Sequence, residues 1–263
     1  YAKDPSADTD DLEERMMKGL KILASIPLFT FSYARNKVFK SYPYPDRSLA
    51  ENILCMARGN DQYTFEEAKI MDTLLMVHAD HGGGNNSTFA NVVISSTGTD
   101  IYSCISAAIG SLKGPKHGGA NCKVTNMFKA IFHEVGFTTD QTTLKKIANR
   151  ILDKDFFDHS GLIYGIGHAV YTLSDPRSEI LAKQCEELSY EKFRHDEYEF
   201  YRKFSAIAIE EIYKRKGIHV CTNVDFYSGL VYDMLGIPED LYTLLFVIGR
   251  TVGWVAHNIE SKL

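Results

Sequence analysis

Apolar residues recur at helical spacing along most of this chain, and this pattern limits its fold more than any other feature. The segment after Thr64 is typical: Thr64 and Glu67 form a capping box ahead of apolar residues that share one helical face. A longer helix is predicted from about Asp196 to Lys216, where Gly217 would stop it. Strand-like pieces are short, such as residues 218–220, and no series of alternating strands occurs. The sequence therefore predicts a mainly α fold.

Composition excludes several classes of protein. The 263 residues suffice for one large domain or two smaller ones, and the net charge of −5 with no basic run argues against a nucleic-acid partner. The five cysteines are scattered without a CxxC pair, which favours a reducing, cytoplasmic location over a disulfide framework. No apolar run is long enough to cross a membrane. Because residue 1 is tyrosine, we expect that an N-terminal portion is missing.

A histidine lies inside the glycine-rich turn Gly114–Asn121, one of three glycine-rich stretches between helical segments. Glycine lets the main chain approach a ligand closely, so His117 could offer a ring nitrogen to a reacting oxygen. The alternative is a surface turn with an incidental histidine.

His78 and His81 are three residues apart, ahead of a second glycine-rich stretch. On one helix face they could bind a metal, but no Glu-x-x-His or cysteine pair completes such a site, and we expect no metal. A histidine at a helix end that binds an anionic or carbonyl ligand is favoured, and a solvated pair is the alternative.

The third stretch, Gly165-Ile166-Gly167, presents His168 in the same way. The Gly-x-Gly pattern is only a weak indication of a phosphate-binding loop, because a third glycine and a preceding strand are missing. Arg177 follows in the first turn of a helix opened by Asp175-Pro176, where a cation opposes the helix dipole. Because this unfavourable interaction with the dipole needs a reason, we favour a role for Arg177 in binding a carboxylate. A surface arginine without such a role is the alternative.

Two charged residues lie in apolar surroundings nearer the C-terminus. Asp225 has apolar and aromatic neighbours, and desolvation would raise its pKa and suit it to act as a base; an N-cap role is the alternative. Arg250 lies in an apolar helix that is predicted to begin near Pro238, close to the single tryptophan. A buried guanidinium requires a partner carboxylate in the protein or in a ligand.

Taken together, these segments resemble the citrate synthase family, in its order and at about its spacing, from about residue 50 to the end. The segments are HADH at 78–81, GPKHGGAN at 114–121, GIGHAVY and DPR within 165–177, NVDFYSG at 223–229 and GRTVGW at 249–254. The resemblance implies an almost entirely helical fold in which a large domain contains an inserted smaller one. The expected bounds are 1–118 and 237–263 for the large domain and 119–236 for the small one. The sequence itself also indicates a boundary just after Asn121, where the chain becomes richer in charged residues. The resemblance also implies a homodimer, for which the small-residue segment Ser103–Gly110 suits close helix packing.

The resemblance further implies the entry reaction of the tricarboxylic acid cycle, in which acetyl-CoA condenses with oxaloacetate and the thioester is hydrolysed. Asp225 would remove the methyl proton, His117 would stabilise the charge on the thioester oxygen, and His168 would polarise the ketone. Acetyl-CoA is a co-substrate, and no bound cofactor or metal is implied. The expected oxaloacetate-binding residues are His81, Arg177 and Arg250. The expected CoA-binding residues, through backbone groups, are Leu162, Ile163, Tyr164, Gly165, Ile166 and Gly167.

Some features depart from the family pattern. Gly82 and Ala169 replace a glutamate and an arginine found in many members, and Thr172 stands where some have a basic residue near the CoA phosphates. The chain also stops at Leu263, before a family tail that carries another arginine, so we expect truncation at both ends. Two alternatives remain open: a 2-methylcitrate synthase that uses propionyl-CoA, and a non-catalytic helical dimerisation scaffold.

Overall fold

The computed structural model describes residues 3–9, 11–114, 117–168 and 170–263. Its contacts divide the chain into two compact units. The first unit comprises Tyr1–Gly119 and Asp240–Leu263, and the second comprises Ala120–Glu239. The predicted bounds of 1–118, 119–236 and 237–263 fall within three residues of this division, and the assignment of these units as a large and a small domain stays a prediction.

Eleven α-helices form the described part of the chain. In chain order they are α1 (Leu12–Ala34), α2 (Leu49–Arg58), α3 (Phe65–His78), α4 (Asn86–Ser95), α5 (Ile101–Leu112), α6 (Ala120–Val135), α7 (Gln141–Leu152), α8 (Pro176–Glu191), α9 (His195–Lys216), α10 (Val224–Met234) and α11 (Tyr242–Glu260). The prediction of a mainly α fold is confirmed. Among the described residues no strand occurs, and the only β feature is an isolated bridge between Ile166 and Thr222.

Local sequence signals explain where several helices begin and end. The side chain of Thr64 accepts from the N–H of Glu67 and the carboxylate of Glu67 accepts from the N–H of Thr64, which is the predicted capping box of α3. Helix α9 ends at Gly217, which adopts a left-handed conformation with φ of 64°. The helix predicted near Pro238 instead opens with a 3-10 turn, Glu239–Leu241, and becomes α-helical at Tyr242.

In the first unit, α11 lies against α1, α3, α4 and α5. Trp254 and Phe246 of α11 are buried against apolar residues of α5 such as Ile105. Two glycines allow α11 to approach the end of α3 closely. A Cβ on Gly253 would lie 2.3 Å from the carbonyl oxygen of Ala79, and one on Gly249 would lie 3.0 Å from the Cβ of His78. This close packing places the segment between those glycines, which includes Arg250, next to the end of α3.

The core of the second unit is aromatic, and α10 packs in it against α6 and α8. Phe128 of α6 stacks on Tyr201 of α9 with ring centroids 3.5 Å apart, and it meets Phe226 of α10 edge to face. Gly229 brings α10 close to α6, because a Cβ there would lie 2.4 Å from Oγ1 of Thr125. The start of α10, which carries Asp225, is therefore held against a rigid apolar core.

Two further sequence expectations concern cysteines and membranes. All five cysteines are free thiols, and four of them are buried. No helix in the described ranges is long and apolar enough to span a bilayer.

We predict that Gly253→Ala lowers the free energy of unfolding by about 1–3 kcal/mol, because the new methyl group would overlap the Ala79 carbonyl and force backbone shifts. Gly83→Ala is the control: a Cβ there meets nothing within 4 Å, so we expect little change. Urea unfolding of both variants measures the difference. Equal stability of the two variants would show that the close approach of α11 is not required.

Candidate functional site

His117 of the first unit lies in a tight turn after α5. The N–H of Gly118 donates to the carbonyl of Leu112 at 2.8 Å, and the N–H of His117 donates to that of Gly114 at 2.9 Å. A Cβ on Gly118 would lie 2.7 Å from the Leu112 oxygen, so this glycine is required by the chain's own close approach rather than by a ligand. Pro115 and Lys116 of the motif lie outside the described residues.

The imidazole of His117 is held by two polar residues at the start of α4. Its Nε2 lies 3.1 Å from Oδ1 of Asn85 and 3.1 Å from Oγ of Ser87. The indole N–H of Trp254 donates to the same Ser87 oxygen at 3.1 Å. Because Trp254 only donates, Ser87 accepts from it and directs its own proton to Asn85 or to His117. When that proton points at Nε2, the neutral ring carries its own proton on Nδ1 and can donate it to a ligand.

Arg250 is fully buried in α11 and completes this arrangement. Its Nε donates to the carbonyl of His78 at 2.6 Å, and one terminal nitrogen donates to Oδ1 of Asn85 at 3.2 Å. The guanidinium also lies 4.9 Å from the centroid of the Phe246 ring. Asn85 therefore links Arg250 to His117. Sequence reasoning missed Asn85 and Ser87, although their position directly after the triple glycine of the His81 segment was a usable signal.

The pKa of His117 is lowered to about 4 by burial and by the positive charge of Arg250. The ring is therefore neutral near pH 7, which leaves it one N–H to donate. A neutral donor suits a site where negative charge develops on an oxygen.

The two histidines at the end of α3 lie in different surroundings. His78 is buried, with its Nδ1 2.7 Å from the carbonyl of Leu74 and its ring 4.6 Å from that of Phe246. His81 lies beyond the helix end and is half-buried. Within the described ranges, no group of three His, Cys, Asp or Glu residues could hold a metal ion. His81 is thus the more exposed of the pair.

In the second unit, His168 and Arg177 lie side by side. Nδ1 of His168 accepts the N–H groups of Val170 at 3.0 Å and Tyr171 at 2.9 Å, so the neutral ring carries its proton on Nε2. A terminal nitrogen of Arg177, which only donates, lies 3.3 Å from that Nε2. The two donor nitrogens thus lie 3.3 Å apart, an arrangement that suits a ligand with acceptor oxygens.

Asp175 explains why a cation is tolerated at the start of α8. This buried carboxylate accepts from Nε of Arg177 at 3.0 Å and from a terminal nitrogen at 2.7 Å. This ion pair offsets the unfavourable interaction between Arg177 and the helix dipole that the sequence indicated. Burial and the charge of Arg177 lower the pKa of His168, with Asp175 acting in the opposite direction.

The predicted CoA-binding loop, residues 162–167, is fastened to the chain just before α10. The N–H of Gly167 donates to the carbonyl of Cys221 at 2.8 Å, and the N–H of Asn223 donates to that of Gly165 at 2.9 Å. Gly165 and Gly167 have φ of 82° and 104°, values that favour glycine. A Cβ on Gly165 would also lie 2.9 Å from atoms of Phe226, so the loop packs directly on α10.

The side chain of Asp225 lies in the first turn of α10 and is half-buried. The N-cap of this helix is Asn223, whose Oδ1 accepts the N–H of Asp225 at 3.0 Å. The alternative of Asp225 as an N-cap is therefore wrong. Its carboxylate lies where the positive end of the helix dipole stabilises negative charge.

The structure thus groups the predicted residues within the two units. His117 and Arg250 meet through Asn85 in the first unit, and His81 follows α3 beside the Arg250 contact to His78. His168 lies beside Arg177, and the 162–167 loop packs on the start of α10 with Asp225, in the second unit.

Comparisons with known proteins give one consistent family. The model of the citrate synthase C-terminal domain matches residues 1–263. Among curated relatives, the citrate synthase of Haloferax volcanii is 38% identical over 99% of this chain and 65% of its own length. That of Deinococcus radiodurans is 36% identical over 98% of this chain and 64% of its own.

Solved structures that resemble this chain belong to the same family. A citrate synthase from Thermoplasma acidophilum, described as a ternary complex with carboxymethyl coenzyme A and oxaloacetate, has a TM-score of 0.75 and 32% identity. The match extends over 92% of this chain and 61% of the Thermoplasma protein. The Thermotoga maritima citrate synthase has a TM-score of 0.74 and 30% identity, over 94% of this chain and 63% of its own. The chain therefore spans 61–65% of the length of these proteins.

We predict that His117 stays neutral in the folded protein between pH 5.5 and 8, so its ring NMR resonances should not titrate in that range. The unfolded chain takes up this proton near pH 6.5, whereas the folded chain does so near pH 4. Between these values the unfolded state binds more protons, so the free energy of unfolding falls as pH decreases from 6.5.

The variant His117→Asn tests the same linkage. It should reduce the slope of stability against pH between 6.5 and 5, and leave the curve above pH 7 parallel to that of the parent. A ring that titrates near pH 6.5 in the folded protein would contradict the prediction.

Proposed function

This chain belongs to the citrate synthase family, and from that premise we propose that it provides the catalytic residues for condensing acetyl-CoA with oxaloacetate. The product thioester is then hydrolysed to citrate and CoA. Because the chain spans only part of its relatives, the proposal concerns the protein at its full natural length. The two units are proposed to be the large domain and the small domain of the family.

The observation that carries the proposal is the proximity of two donor nitrogens, one on His168 and one on Arg177. Oxaloacetate presents a ketone oxygen next to a carboxylate, which matches one neutral N–H beside a guanidinium. The N–H of His168 would polarise the ketone, and Arg177 would bind the carboxylate. His81 and Arg250 are proposed as further oxaloacetate-binding residues.

The proton transfer is assigned to Asp225 and His117. The ionised carboxylate of Asp225 would take a proton from the acetyl methyl group, and the electron pair left behind would pass to the thioester oxygen. His117, which its lowered pKa keeps neutral, would donate a hydrogen bond to that oxygen. The enolate carbon would then attack the ketone carbon of oxaloacetate as the thioester carbonyl re-forms, and His168 would give its Nε2 proton to the ketone oxygen, which becomes the hydroxyl of the citryl thioester.

Backbone groups of residues 162–167 are proposed to bind the adenine end of acetyl-CoA, which acts as a co-substrate. The proposal involves no bound cofactor, metal or nucleic-acid partner. A cytoplasmic location is part of it, supported by the five free thiols.

We predict that the full-length protein releases CoA thiol from acetyl-CoA only when oxaloacetate is present. Asp225→Asn should lower kcat by at least about 100-fold, since removing a positioned base costs that much. Arg177→Lys should chiefly raise the KM for oxaloacetate, because lysine loses the planar fork. Thiol release is followed with a disulfide reagent.

The same assay separates the alternatives. A marked preference for propionyl-CoA over acetyl-CoA would reassign the enzyme as a 2-methylcitrate synthase. No thiol release with either substrate, together with no oxaloacetate binding by calorimetry, would leave a helical scaffold as the function.

We also propose a homodimer that forms through the α4–α5 pair. The exposed face of α5 carries Ser106 and Gly110, and the neighbouring α4 exposes Phe89 and Val93. A small-residue helix beside exposed apolar side chains suits close packing against a second copy.

We predict that Gly110→Arg gives a monomer by sedimentation velocity at micromolar concentration. A Cβ on Gly110 meets nothing within 4 Å in this chain, so the monomer itself should fold normally. Gly110→Ala is the control for helix propensity and should remain dimeric. A parent protein that sediments as a monomer would refute the dimer.

A further inference from the structure

Three residues just before α10, Cys221–Asn223, contact several parts of the second unit; we name them the 221–223 strip. Its backbone binds the 162–167 loop through the Gly167–Cys221 and Asn223–Gly165 hydrogen bonds. The hydroxyl of Thr222 accepts from Ser178, the residue after Arg177, at 2.8 Å. The strip therefore touches the loop, the start of α8 and the start of α10.

The side chain of Asn223 makes two hydrogen bonds with opposite roles. Its Oδ1 accepts the N–H of Asp225 and so caps α10. Its Nδ2 donates to the carbonyl of Gly167 at 2.9 Å. One half-buried amide thus joins the helix that carries the base to the last residue of the loop.

The loop needs such an external bond. Gly165 and Gly167 adopt positive φ values, and glycine has the greatest conformational freedom in the unfolded chain, so these residues do little to fix their own backbone. Gly167 also directly precedes His168. A bond to the Gly167 carbonyl therefore restrains both the CoA-binding loop and the residue that polarises the ketone.

We propose that Asn223 is a positioning residue that sets the 162–167 loop relative to Asp225, so that the thioester methyl group is presented to the base. This inference rests on the function proposed above. Asn223 touches neither substrate in this account; it acts through the Gly167 carbonyl and the Asp225 N–H.

The test uses Asn223→Ser in the full-length protein. Serine is an equally good N-cap, but its hydroxyl is one bond shorter than the amide and no longer reaches Gly167. We expect the KM for acetyl-CoA to rise about threefold to tenfold, the range of one neutral hydrogen bond. The KM for oxaloacetate and the melting temperature should change little. Hydrogen exchange should become faster in a peptide that covers residues 162–168.

Two variants serve as comparisons. Asn223→Ala removes the cap as well as the loop bond, so kcat and thermal stability should also fall. Asp140→Ala removes the N-cap of α7, where Asp140 accepts from the N–H of Thr143, elsewhere in the same unit. It should lower stability and leave both KM values unchanged, which separates loss of a cap from loss of the loop bond.

The possible outcomes are distinct. An acetyl-CoA KM that is unchanged in Asn223→Ser would overturn the inference, whether or not exchange increases. An equal rise of this KM in Asp140→Ala would assign the effect to general destabilisation and also overturn it. If the parent forms no citrate, the proposed function fails, and the exchange measurement alone then decides whether Asn223 restrains the loop.

Discussion

The first unit depends on how the charge of Arg250 is accommodated in a fully buried position. A buried guanidinium is costly unless its N–H groups are satisfied. Arg250 donates to the end of α3 and to the start of α4, and its planar face lies near Phe246 of its own helix. The glycines on either side allow the helix to come close enough for these bonds. Satisfying one cation thus fixes three elements around His117.

The second unit treats its arginine differently. Arg177 forms an ion pair with the buried Asp175, which is also the N-cap of α8. The pairing fixes the direction of the guanidinium, and the terminal nitrogen that donates to Asp175 also lies 3.3 Å from Nε2 of His168. Removal of Asp175 would therefore affect both the helix start and the charge next to His168. In both units the protein itself orients an arginine, so that little conformational freedom would be lost on binding of the anionic substrate that the proposed function assigns.

Much of this arrangement could be predicted from the sequence, and the missing parts have a common cause. Capping boxes, helix-stopping glycines and the motifs that carry His117, His168 and Asp225 depend on neighbouring residues, so local patterns predict them. Gly253, Asn85 and Asn223 act through contacts with residues up to about 170 positions away in sequence, as between Gly253 and Ala79 or Arg250 and Asn85. The roles of such residues follow from packing alone. The N-cap alternative for Asp225 is wrong for a local reason: Asn223 and Asp225 are both polar residues at the helix start, and only one of them can be the cap.

The positive charges near the histidines have two consequences that support each other. The proposed function gives each arginine an anionic substrate to bind, and each arginine also lowers the pKa of the adjacent imidazole. A neutral imidazole can donate a single, well-directed hydrogen bond, whereas a charged one would attract water and counter-ions to the site. No further group is therefore needed to keep the imidazole rings of His117 and His168 neutral. Burial and the arginine charges keep the rings neutral together, and the hydrogen bonds from the N–H groups of Val170 and Tyr171 then determine that Nε2 of His168 can donate.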